Sequence, residues 1–410
     1  MHYTDDFIEK VRKANNIEDV ISSYIKLQRK GSSYMALCPF HNEKTPSFSV
    51  HPARQMYHCF SCGVSGDVFS FLMEYDRMSF QEAVVKLAER AGITVPQSDV
   101  SEEQKKEESK RSRLLEIQKE AAKYYMFNLR FTQGILAMQY LKNRKLSDET
   151  IKSFALGYAG KGTNGLYAYL KKKGYSDALL KESGLFIWDE EKSLINEKFW
   201  NRVIFPIMDV NRMVIGFGGR VIGDAKPKYL NSPETMIFDK SRNLYGLYAA
   251  KASEKKSIII CEGYMDVISL HQEGFTNAVA SLGTALTSQQ CELLRKYTKD
   301  VYLLYDSDEA GVKAALRAIP LLRSSGLNSK VVNLQPYKDP DELLKAGGAE
   351  ELQRRINSAE NGLMFEVRKL YESYDMNDPK KARDFYNETA EKIMMRGYHR
   401  RNCQSFIGIC

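Results

Sequence analysis

The sequence lacks three features that would each have placed it in a different class of protein. No apolar run approaches the roughly 18 residues that a membrane span needs. The first residues, MHYTDD, match neither a signal peptide nor a transit peptide, so the cytoplasm is the expected location. No G-x-x-x-x-G-K-[ST] loop is present, which argues against a fused P-loop motor.

Cysteine is also scarce, with seven in 410 residues. In a reducing compartment the spacing of cysteines is more informative than their number. The net charge of +8 suits a polyanionic partner if the cations share one face, but charge alone identifies no partner. With 43% hydrophobic and 27% charged residues, the chain is expected to be globular and to hold about three domains.

Four of the cysteine and histidine residues stand at metal-ligand spacing. Two short strand patterns, in 34–37 and 56–59, each run into a C-x-x-C/H knuckle. The predicted ligands are Cys38, His41, Cys59 and Cys62. Three thiolates and one imidazole form the closed shell of a structural Zn²⁺, one per chain, and four reduced core residues are the weaker alternative. His58 directly precedes Cys59, too close for the geometry of the knuckle.

Cations and aromatic residues alternate around the two knuckles. Lys44 and Arg54 stand among Phe48, Tyr57 and Phe60. This mixture is typical of proteins that bind single-stranded nucleic acid. The alternative is that these rings only cover the zinc hairpin.

Carboxylates follow two apolar strand patterns in the second half of the chain. The run 258–261 ends on Glu262, and the run 301–305 ends on Asp306 and Asp308. In an open parallel sheet the carboxyl ends of strands meet at one crevice, where acids repel each other. A divalent cation relieves that repulsion, and oxygen ligands favour Mg²⁺ or Mn²⁺, which usually brings phosphates. The alternative is a pair of solvated strand ends.

Three more acids lie close to this pattern. Asp266 follows Glu262 by one helical turn and is predicted to support the metal ligands. Asp339 and Asp341 follow the last predicted strand and are either second-tier metal ligands or structural acids. For Asp341 the sequence equally allows a helix N-cap.

A glycine-rich basic segment precedes the first acidic strand. Strands are predicted at 203–208 and 213–217, with glycines at 216, 218 and 219. These glycines allow a close approach of backbone, and the cations that follow suit phosphate. We expect this segment, 202–235, to form a basic wall opposite the metals. The alternative is an ordinary surface hairpin.

These patterns predict a multidomain α/β protein. It comprises a zinc-ribbon-like module, a mixed α+β basic subdomain, a parallel α/β sheet with helices on both faces, and a C-terminal helical subdomain. The segment 97–113 is too polar to bury a core and is therefore expected to be a flexible linker. A helix is expected to follow it, from about 114 to 130. The predicted boundaries are 1–95 for the zinc module, 96–113 for a flexible linker, 114–256 for the basic subdomain, 257–343 for the parallel sheet and 344–410 for the helical subdomain with an atypical end.

Two motifs carry a resemblance to a known family. The segments CPFHNEKTPSF (38–48) and HCFSCGxxGD (58–67) resemble the zinc-binding domain of bacterial DNA primases of the DnaG type. Glu262 and the D-x-D at 306–308 resemble the Toprim domain that primases share with topoisomerases and some nucleases. The resemblance covers roughly 5–394 and implies a Toprim sheet as the catalytic fold.

The resemblance implies synthesis of short RNA primers on single-stranded DNA from ribonucleoside triphosphates. Two Mg²⁺ or Mn²⁺ would be held by Glu262, Asp306 and Asp308, and Glu262 is alternatively a general base. Arg202 is alternatively a buried structural cation, and Lys240 alternatively flanks a loop. The residues that the resemblance assigns to template or nucleotide binding are Arg144, Arg202, Arg220, Lys228, Tyr229, Asn231 and Lys240.

The resemblance also bears on partners and on rival functions. Family members usually carry a further helical domain that docks on the replicative helicase, and this sequence shows none, so stable coupling is not expected. A monomer without a membrane partner is expected. A topoisomerase would need a separate domain with a nucleophilic tyrosine, for which there is no room. The remaining rivals are a Toprim-type nuclease and a zinc-bearing single-stranded DNA-binding adaptor without chemistry.

Overall fold

The computed structural model divides the chain into two compact units, Met1–Glu108 and Ser109–Cys410. It describes residues 3–41, 43–76, 78, 80–95, 102–162, 164–189, 191 and 194–394. The first part of the predicted linker, 96–101, and the predicted atypical end, 395–410, lie outside the described residues.

The first unit packs four helices on a five-stranded antiparallel sheet, whose strands follow each other in chain order. Thr4 and Asp67 accept N-cap hydrogen bonds at two helix starts, so local sequence fixes where these helices begin. The helices are α1 Asp5–Ala14, α2 Ile17–Ser22, α3 Val68–Tyr75 and α4 Phe80–Arg90, and the strands are β1 Gln28–Lys30, β2 Ser33–Ala36, β3 Phe48–His51, β4 Met56–Cys59 and β5 Ser65–Gly66.

The core of this unit packs a group of aromatic rings among aliphatic side chains. Phe48 and Tyr57 are fully buried and stack with ring centroids 5.1 Å apart, and Phe71 packs against both. Phe60, by contrast, is 70% exposed. The sequence suggests the same role for Phe48, Tyr57 and Phe60. In the structure Phe48 and Tyr57 cover the zinc hairpin, and of the three only Phe60 is available to a partner.

The long helix α5 spans Glu102–Arg130, so the predicted start at residue 114 is wrong by 12 residues. The segment 102–113 is rich in Glu, Lys and Arg, which have high helix propensity even where no apolar face can be buried. Because it has few apolar residues, the segment 102–113 cannot form a hydrophobic core of its own. It can still be helical, as an extension of the buried helix that follows it. Leu114, Ile117, Ala121 and Tyr125 anchor its second half in the core.

The second unit begins with a mixed α+β part. Its antiparallel sheet has the strand order β11-β10-β9-β6, beside a separate β7-β8 hairpin. Short 3-10 turns lie at Thr132–Gly134 and Lys240–Arg242, and another at Pro52–Arg54 in the first unit. The elements are α6 Ile135–Asn143, α7 Asp148–Ser153, β6 Gly157–Ala159, α8 Gly165–Lys172, α9 Asp177–Glu182, β7 Phe186–Asp189, β8 Leu194–Glu197, β9 Arg202–Met208, β10 Val214–Val221, β11 Tyr229–Asn231 and α10 Leu247–Ala250.

The glycine-rich segment is a continuous strand, β10, and its glycines make room for protein side chains. A Cβ on Gly218 would lie 2.5 Å from the ring of Tyr264, and one on Gly219 would lie 2.7 Å from Phe199. The sequence predicts a close approach at these glycines but assigns it to a ligand. In the structure the neighbours are aromatic rings of the protein itself.

The remainder of this unit is a five-stranded sheet with the order β13-β12-β14-β15-β16. The first four strands are parallel, and the two-residue edge strand β16 runs antiparallel, a pairing too short to read from the sequence. The elements are β12 Ser257–Cys261, α11 Tyr264–Gln272, β13 Ala278–Ala280, α12 Ser288–Arg295, β14 Asp300–Leu303, α13 Glu309–Ser324, β15 Asn328–Val331, α14 Pro340–Asn357, β16 Glu360–Asn361, α15 Gly362–Ser373 and α16 Pro379–Met394.

The predicted multidomain α/β class is confirmed. Ile260 pairs with Leu303, which pairs with Val331, so β12, β14 and β15 end level at one edge. One hydrophobic cluster joins residues of β9 and β10 to residues of β12 and α11, which fixes the antiparallel sheet against the parallel one. Within the described ranges, no helix is both long enough and apolar enough to cross a membrane.

Candidate metal centres and nucleic-acid interface

The four predicted zinc ligands converge in the first unit. Their ligand atoms all lie within 4.8 Å of one another, as four corners around one small ion would. Cys38 Sγ lies 3.9 Å from Cys62 Sγ, and Cys59 Sγ lies 4.0 Å from His41 Nδ1. Ligand bonds of roughly 2.0–2.3 Å place the corners of a tetrahedral zinc site at such separations. In the part of the chain that the structure describes, no second His, Cys, Asp or Glu group is gathered this tightly.

Glu43 is a residue of this site that the sequence reasoning missed. Its Oε1 accepts hydrogen bonds from the backbone of Cys38 (2.7 Å) and Ser47 (3.2 Å), and its Oε2 accepts from Ser47 Oγ (2.6 Å). Oε2 also lies 3.2 Å from His41 Nε2, without hydrogen-bond geometry, and His41 Nδ1 lies toward Cys59. A carboxylate on the far nitrogen of a ligating histidine fixes the ring's tautomer and orientation. An acid two residues after the histidine of a knuckle is the signal that could have found it.

We expect Glu43→Ala to weaken zinc binding by roughly 10- to 100-fold, because three hydrogen bonds and the orienting contact on His41 are lost together. The zinc affinity of Glu43→Gln should lie between those of wild type and Glu43→Ala, since an amide retains one acceptor oxygen. Competition against a chromophoric zinc chelator measures the affinity. Glu89→Ala, an exposed acid on α4, is the matched control, and equal affinities for both alanine variants would contradict this role.

At the carboxyl edge of the parallel sheet the structure brings the predicted acids together. Glu262 Oε1 accepts from the backbone N–H of Asp306 (3.0 Å), which ties the end of β12 to the end of β14. Asp308 is the N-cap of α13, and its Oδ1 accepts from Gly311 N–H (2.9 Å). The backbone of Ser307 donates to the carbonyl of Lys338 (2.8 Å), so the loops after β14 and β15 are joined. We call Glu262, Asp306 and Asp308 the acidic rim.

The acids of this edge perturb each other electrostatically. Burial, followed by Glu262, Asp339 and Asp308, raises the pKa of Asp306 to about 6. Burial, followed by Asp306 and Asp339, raises the pKa of Asp266 to about 8. Carboxylates whose charges raise a neighbour's pKa repel each other, and a bound cation would relieve that repulsion. The donors are carboxylate oxygens only, so the rim fits Mg²⁺ or Mn²⁺ better than a softer metal.

The outer acids have distinct structural contacts. Asp266 accepts from Gly263 N–H (3.0 Å) and so fixes the turn that carries Glu262. Asp339 is the N-cap of α14, where its Oδ1 accepts from Glu342 N–H (2.8 Å). Asp341 is buried and forms ion pairs with Arg144 (2.9 Å) and Lys345 (2.6 Å). The N-cap alternative that the sequence left open for Asp341 is therefore wrong, because the cap is the residue two positions earlier.

We expect Asp266→Asn to stabilise the protein at pH 8 in buffer without divalent cations, by at least about 1.4 kcal/mol, the free energy of one pKa unit. The folded pKa of about 8 lies above the unfolded value of about 3.9, so wild-type stability falls as the pH rises from 4 to 8. Asn carries no charge and removes this slope. Melting temperatures at pH 5.5 and 8 measure it, with the exposed Asp300→Asn as control. Equal slopes for Asp266→Asn and wild type would contradict the assignment.

Arginines and tyrosines of the antiparallel sheet lie close to the acidic edge. Arg220 and Tyr229 are cross-strand partners on β10 and β11. Burial raises the pKa of Tyr229 to about 12, and Arg220, Asp266 and Arg144 also act on its hydroxyl. Arg220 lies over the ring of Tyr140, with Cζ 4.1 Å from the centroid. Arg220 and Asp266 therefore act on the same tyrosine, as does Arg144, which pairs with Asp341.

Not all predicted binding residues are available to a ligand. Arg202 is buried, its pKa is lowered by burial, and it donates to the carbonyls of Gly219, Pro227 and Lys228. These contacts match the structural cation that the sequence left as an alternative. Lys228 is exposed, and Lys240, in a 3-10 turn, lies near Lys198.

Asn231 is also occupied by protein contacts, through a tyrosine that the sequence reasoning missed. Its Oδ1 accepts from Tyr264 Oη (2.7 Å), and its Nδ2 donates to the carbonyl of Leu282 (2.8 Å). Tyr264 also stacks on Phe205 with centroids 5.2 Å apart. It is two residues from Glu262 and thus locks the acidic strand end to the antiparallel sheet. The glycine at 218, which leaves room for this ring, was the only available signal.

A separate cleft of about 260 Å³ is lined by Asp306 and by residues of α13, α15 and the end of β15. Its cations, Arg368 and Lys369, are ion-paired with Glu360 and Glu372. None of the predicted template- or nucleotide-binding residues lines this cleft. The cleft is therefore distinct from the basic wall.

The fold and the two acid and thiol clusters define the class: a zinc-ribbon protein with a Toprim-type sheet. Comparison with protein families gives the same division. Residues 3–103 match the CHC2 zinc finger, 124–251 match the N-terminal domain of the DNA primase catalytic core, and 259–344 match the Toprim-like family.

The chain belongs to the bacterial DNA primase family. It is 40% identical over 381 residues to the DNA primase of Aquifex aeolicus, covering 92% of this chain and 73% of that protein. It is 42% identical over 390 residues to the DNA primase of Clostridium acetobutylicum, covering 95% of this chain and 65% of that protein. The chain thus spans less than two thirds of the Clostridium protein's length.

Solved structures agree with this membership. The crystal structure of the zinc-binding and RNA polymerase domains of the Aquifex aeolicus primase matches with a TM-score of 0.58 and 39% identity, over 90% of this chain and 89% of that one. A DnaG primase catalytic domain bound to single-stranded DNA matches with a TM-score of 0.62 and 36% identity, over 68% of this chain and 91% of that one.

Proposed function

We propose that this chain synthesises short RNA primers on a single-stranded DNA template from ribonucleoside triphosphates. The observation that carries the proposal is that a group of carboxylates lies near a group of arginines. Asp306, whose pKa burial and neighbouring acids raise, acts on Asp266, and Asp266 acts together with Arg220 and Arg144 on Tyr229 of the antiparallel sheet. Nucleotidyl transfer needs both, because it joins an anionic triphosphate to a hydroxyl nucleophile.

The chemistry assigned to the divalent cations is Lewis-acid activation of the hydroxyl nucleophile and stabilisation of the departing pyrophosphate. Glu262, Asp306 and Asp308 would hold these cations through carboxylate oxygens. The hydrogen bond from Asp306 N–H to Glu262 fixes the relative position of the two strand ends before any ligand binds. Asp266 holds the turn at Gly263 through its hydrogen bond with the Gly263 N–H.

The remaining residues have binding and positioning roles in this proposal. Arg220 and Lys228 are assigned to the phosphates, since Arg220 lacks a carboxylate partner among the described residues and Lys228 is exposed. Arg202 and Asn231 are assigned a positioning role, because their polar atoms are bound by protein groups. The zinc module is assigned a contact with the template, for which Phe60 is the most exposed aromatic side chain among its described residues.

The experiment mixes the chain with a defined single-stranded oligonucleotide, Mg²⁺ and four ribonucleoside triphosphates, one of them labelled. We expect a short, alkali-labile product whose base composition changes with the template. Shortening of the labelled template would instead favour the nuclease alternative, and binding without product would favour the adaptor. Replacement of a template base by a different one should change which labelled nucleotide is incorporated.

A further inference from the structure

Tyr140, on α6, contacts two of the predicted binding arginines through its ring. Arg220 Cζ lies 4.1 Å from the ring centroid, and Arg144 Cζ lies 5.8 Å from it. At 4.1 Å the guanidinium is in direct contact with the face of the ring, the geometry of a strong cation–π interaction. Tyr140 is half-buried, and its hydroxyl is buried without a hydrogen-bond partner among the described residues.

The two arginines are held in different ways. Arg144 donates to Asp341, so its charge is neutralised within the protein. Among the described residues Arg220 has no carboxylate partner, and its one protein hydrogen bond is from Nη1 to the carbonyl of Val221 (3.2 Å). Its Nε is buried and has no acceptor in the described part of the chain. An aromatic face is therefore the main contact that orients Arg220.

We propose that Tyr140 is a positioning residue that holds Arg220 by its ring face and leaves its charge without a carboxylate partner, so that a phosphate group can take that place. A carboxylate in the same place would orient Arg220 equally well but would compete with the incoming anion. The ring orients the cation without neutralising it. The inference rests on the proposed function for the origin of the phosphate, which is either the ribonucleoside triphosphate or the template backbone.

The test measures binding, so that it does not depend on primer synthesis. Two probes separate the two sources of phosphate: a fluorescent ribonucleoside triphosphate with Mg²⁺, and a fluorescein-labelled single-stranded oligonucleotide followed by anisotropy. We expect Tyr140→Leu to weaken binding of at least one probe by roughly 2- to 30-fold, the range of a cation–π contact. Tyr140→Phe retains the ring face and should bind within about twofold of wild type.

A double-mutant cycle separates positioning from a general structural effect. If Tyr140 acts through Arg220, Tyr140→Leu should have no further effect on binding in an Arg220→Ala background. The matched control is Tyr169→Leu, which removes a ring whose cation, Lys173, is already paired with Glu120. If Tyr140→Leu melts below the assay temperature, Tyr140→Met takes its place in the same cycle.

Three results would overturn the inference: unchanged binding of both probes, an undiminished effect in the Arg220→Ala background, or equal losses for Tyr140→Phe and Tyr140→Leu. The outcome is separable from that of the proposed function. A wild-type chain that makes no RNA, yet shows the coupled loss of binding, refutes primer synthesis and leaves Tyr140 in its role. A chain that makes RNA but shows no coupling refutes the role alone.

Discussion

Replacement of Asp306 by Asn is expected to reduce nucleotide incorporation by at least about 100-fold while the fold and the zinc content stay unchanged. Asp306 belongs to the acidic rim, and burial together with three neighbouring carboxylates raises its pKa to about 6. Asn has the same shape but lacks the negative charge that a divalent cation requires. The hydrogen bond to Glu262 comes from the backbone of residue 306, so it survives the substitution.

The matched control for this variant is Asp300→Asn. Asp300 begins the same strand, β14, and therefore lies at the opposite edge of the sheet. It is exposed, and its Oδ1 accepts from Asn328, a contact that an amide oxygen retains. Incorporation rates are measured on one template at saturating Mg²⁺. Normal synthesis by Asp306→Asn, or an equal loss in Asp300→Asn, would contradict the role of the rim.

Loss of zinc is expected to unfold the described zinc module, 3–95, and to leave the parallel sheet folded. The metal contributes on the order of 10 kcal/mol to modules of this kind, more than so small a core supplies. The two units have separate hydrophobic clusters, so the second unit retains its own core. Cys62→Ala is the preferred variant, since Cys62 is exposed and the substitution removes a ligand with little loss of packing.

Hydrogen exchange with mass spectrometry localises this effect. Backbone amides of β2, β3 and β4 should lose protection in Cys62→Ala, while those of β12 and β14 keep it. His58→Gln is the control, because His58 is in β4 beside a ligand but is not gathered with the four. Protection of the zinc hairpin in Cys62→Ala, or loss of protection throughout both units, would contradict the account.

The parts of the site that follow local rules could be predicted from the sequence. The knuckle spacing places Cys38 and His41 on one turn, so their convergence needs only a second turn of the same kind. The edge location of Glu262 and Asp306 follows from parallel strands, whose carboxyl ends share one edge. Neither prediction requires knowledge of which side chains pack against the site.

Other features depend on contacts between residues far apart in the chain, which no local pattern encodes. Asn231 resembles a ligand-binding residue until Tyr264 and Leu282 are found on its amide. Tyr140 and Arg220 are 80 positions apart, and their contact depends on how α6 packs against β10. The start of α5 was mispredicted for a different reason, because a polar sequence was equated with an absence of helix.

The central claim is that the acidic rim binds divalent cations beside the basic wall. The most direct test is anomalous scattering from Mn²⁺ in crystals of the full chain grown with a ribonucleoside triphosphate. The account predicts manganese peaks within about 2.2 Å of carboxylate oxygens of Glu262, Asp306 and Asp308, with the triphosphate toward Arg220. Manganese bound elsewhere, with these three carboxylates free of metal, would contradict it.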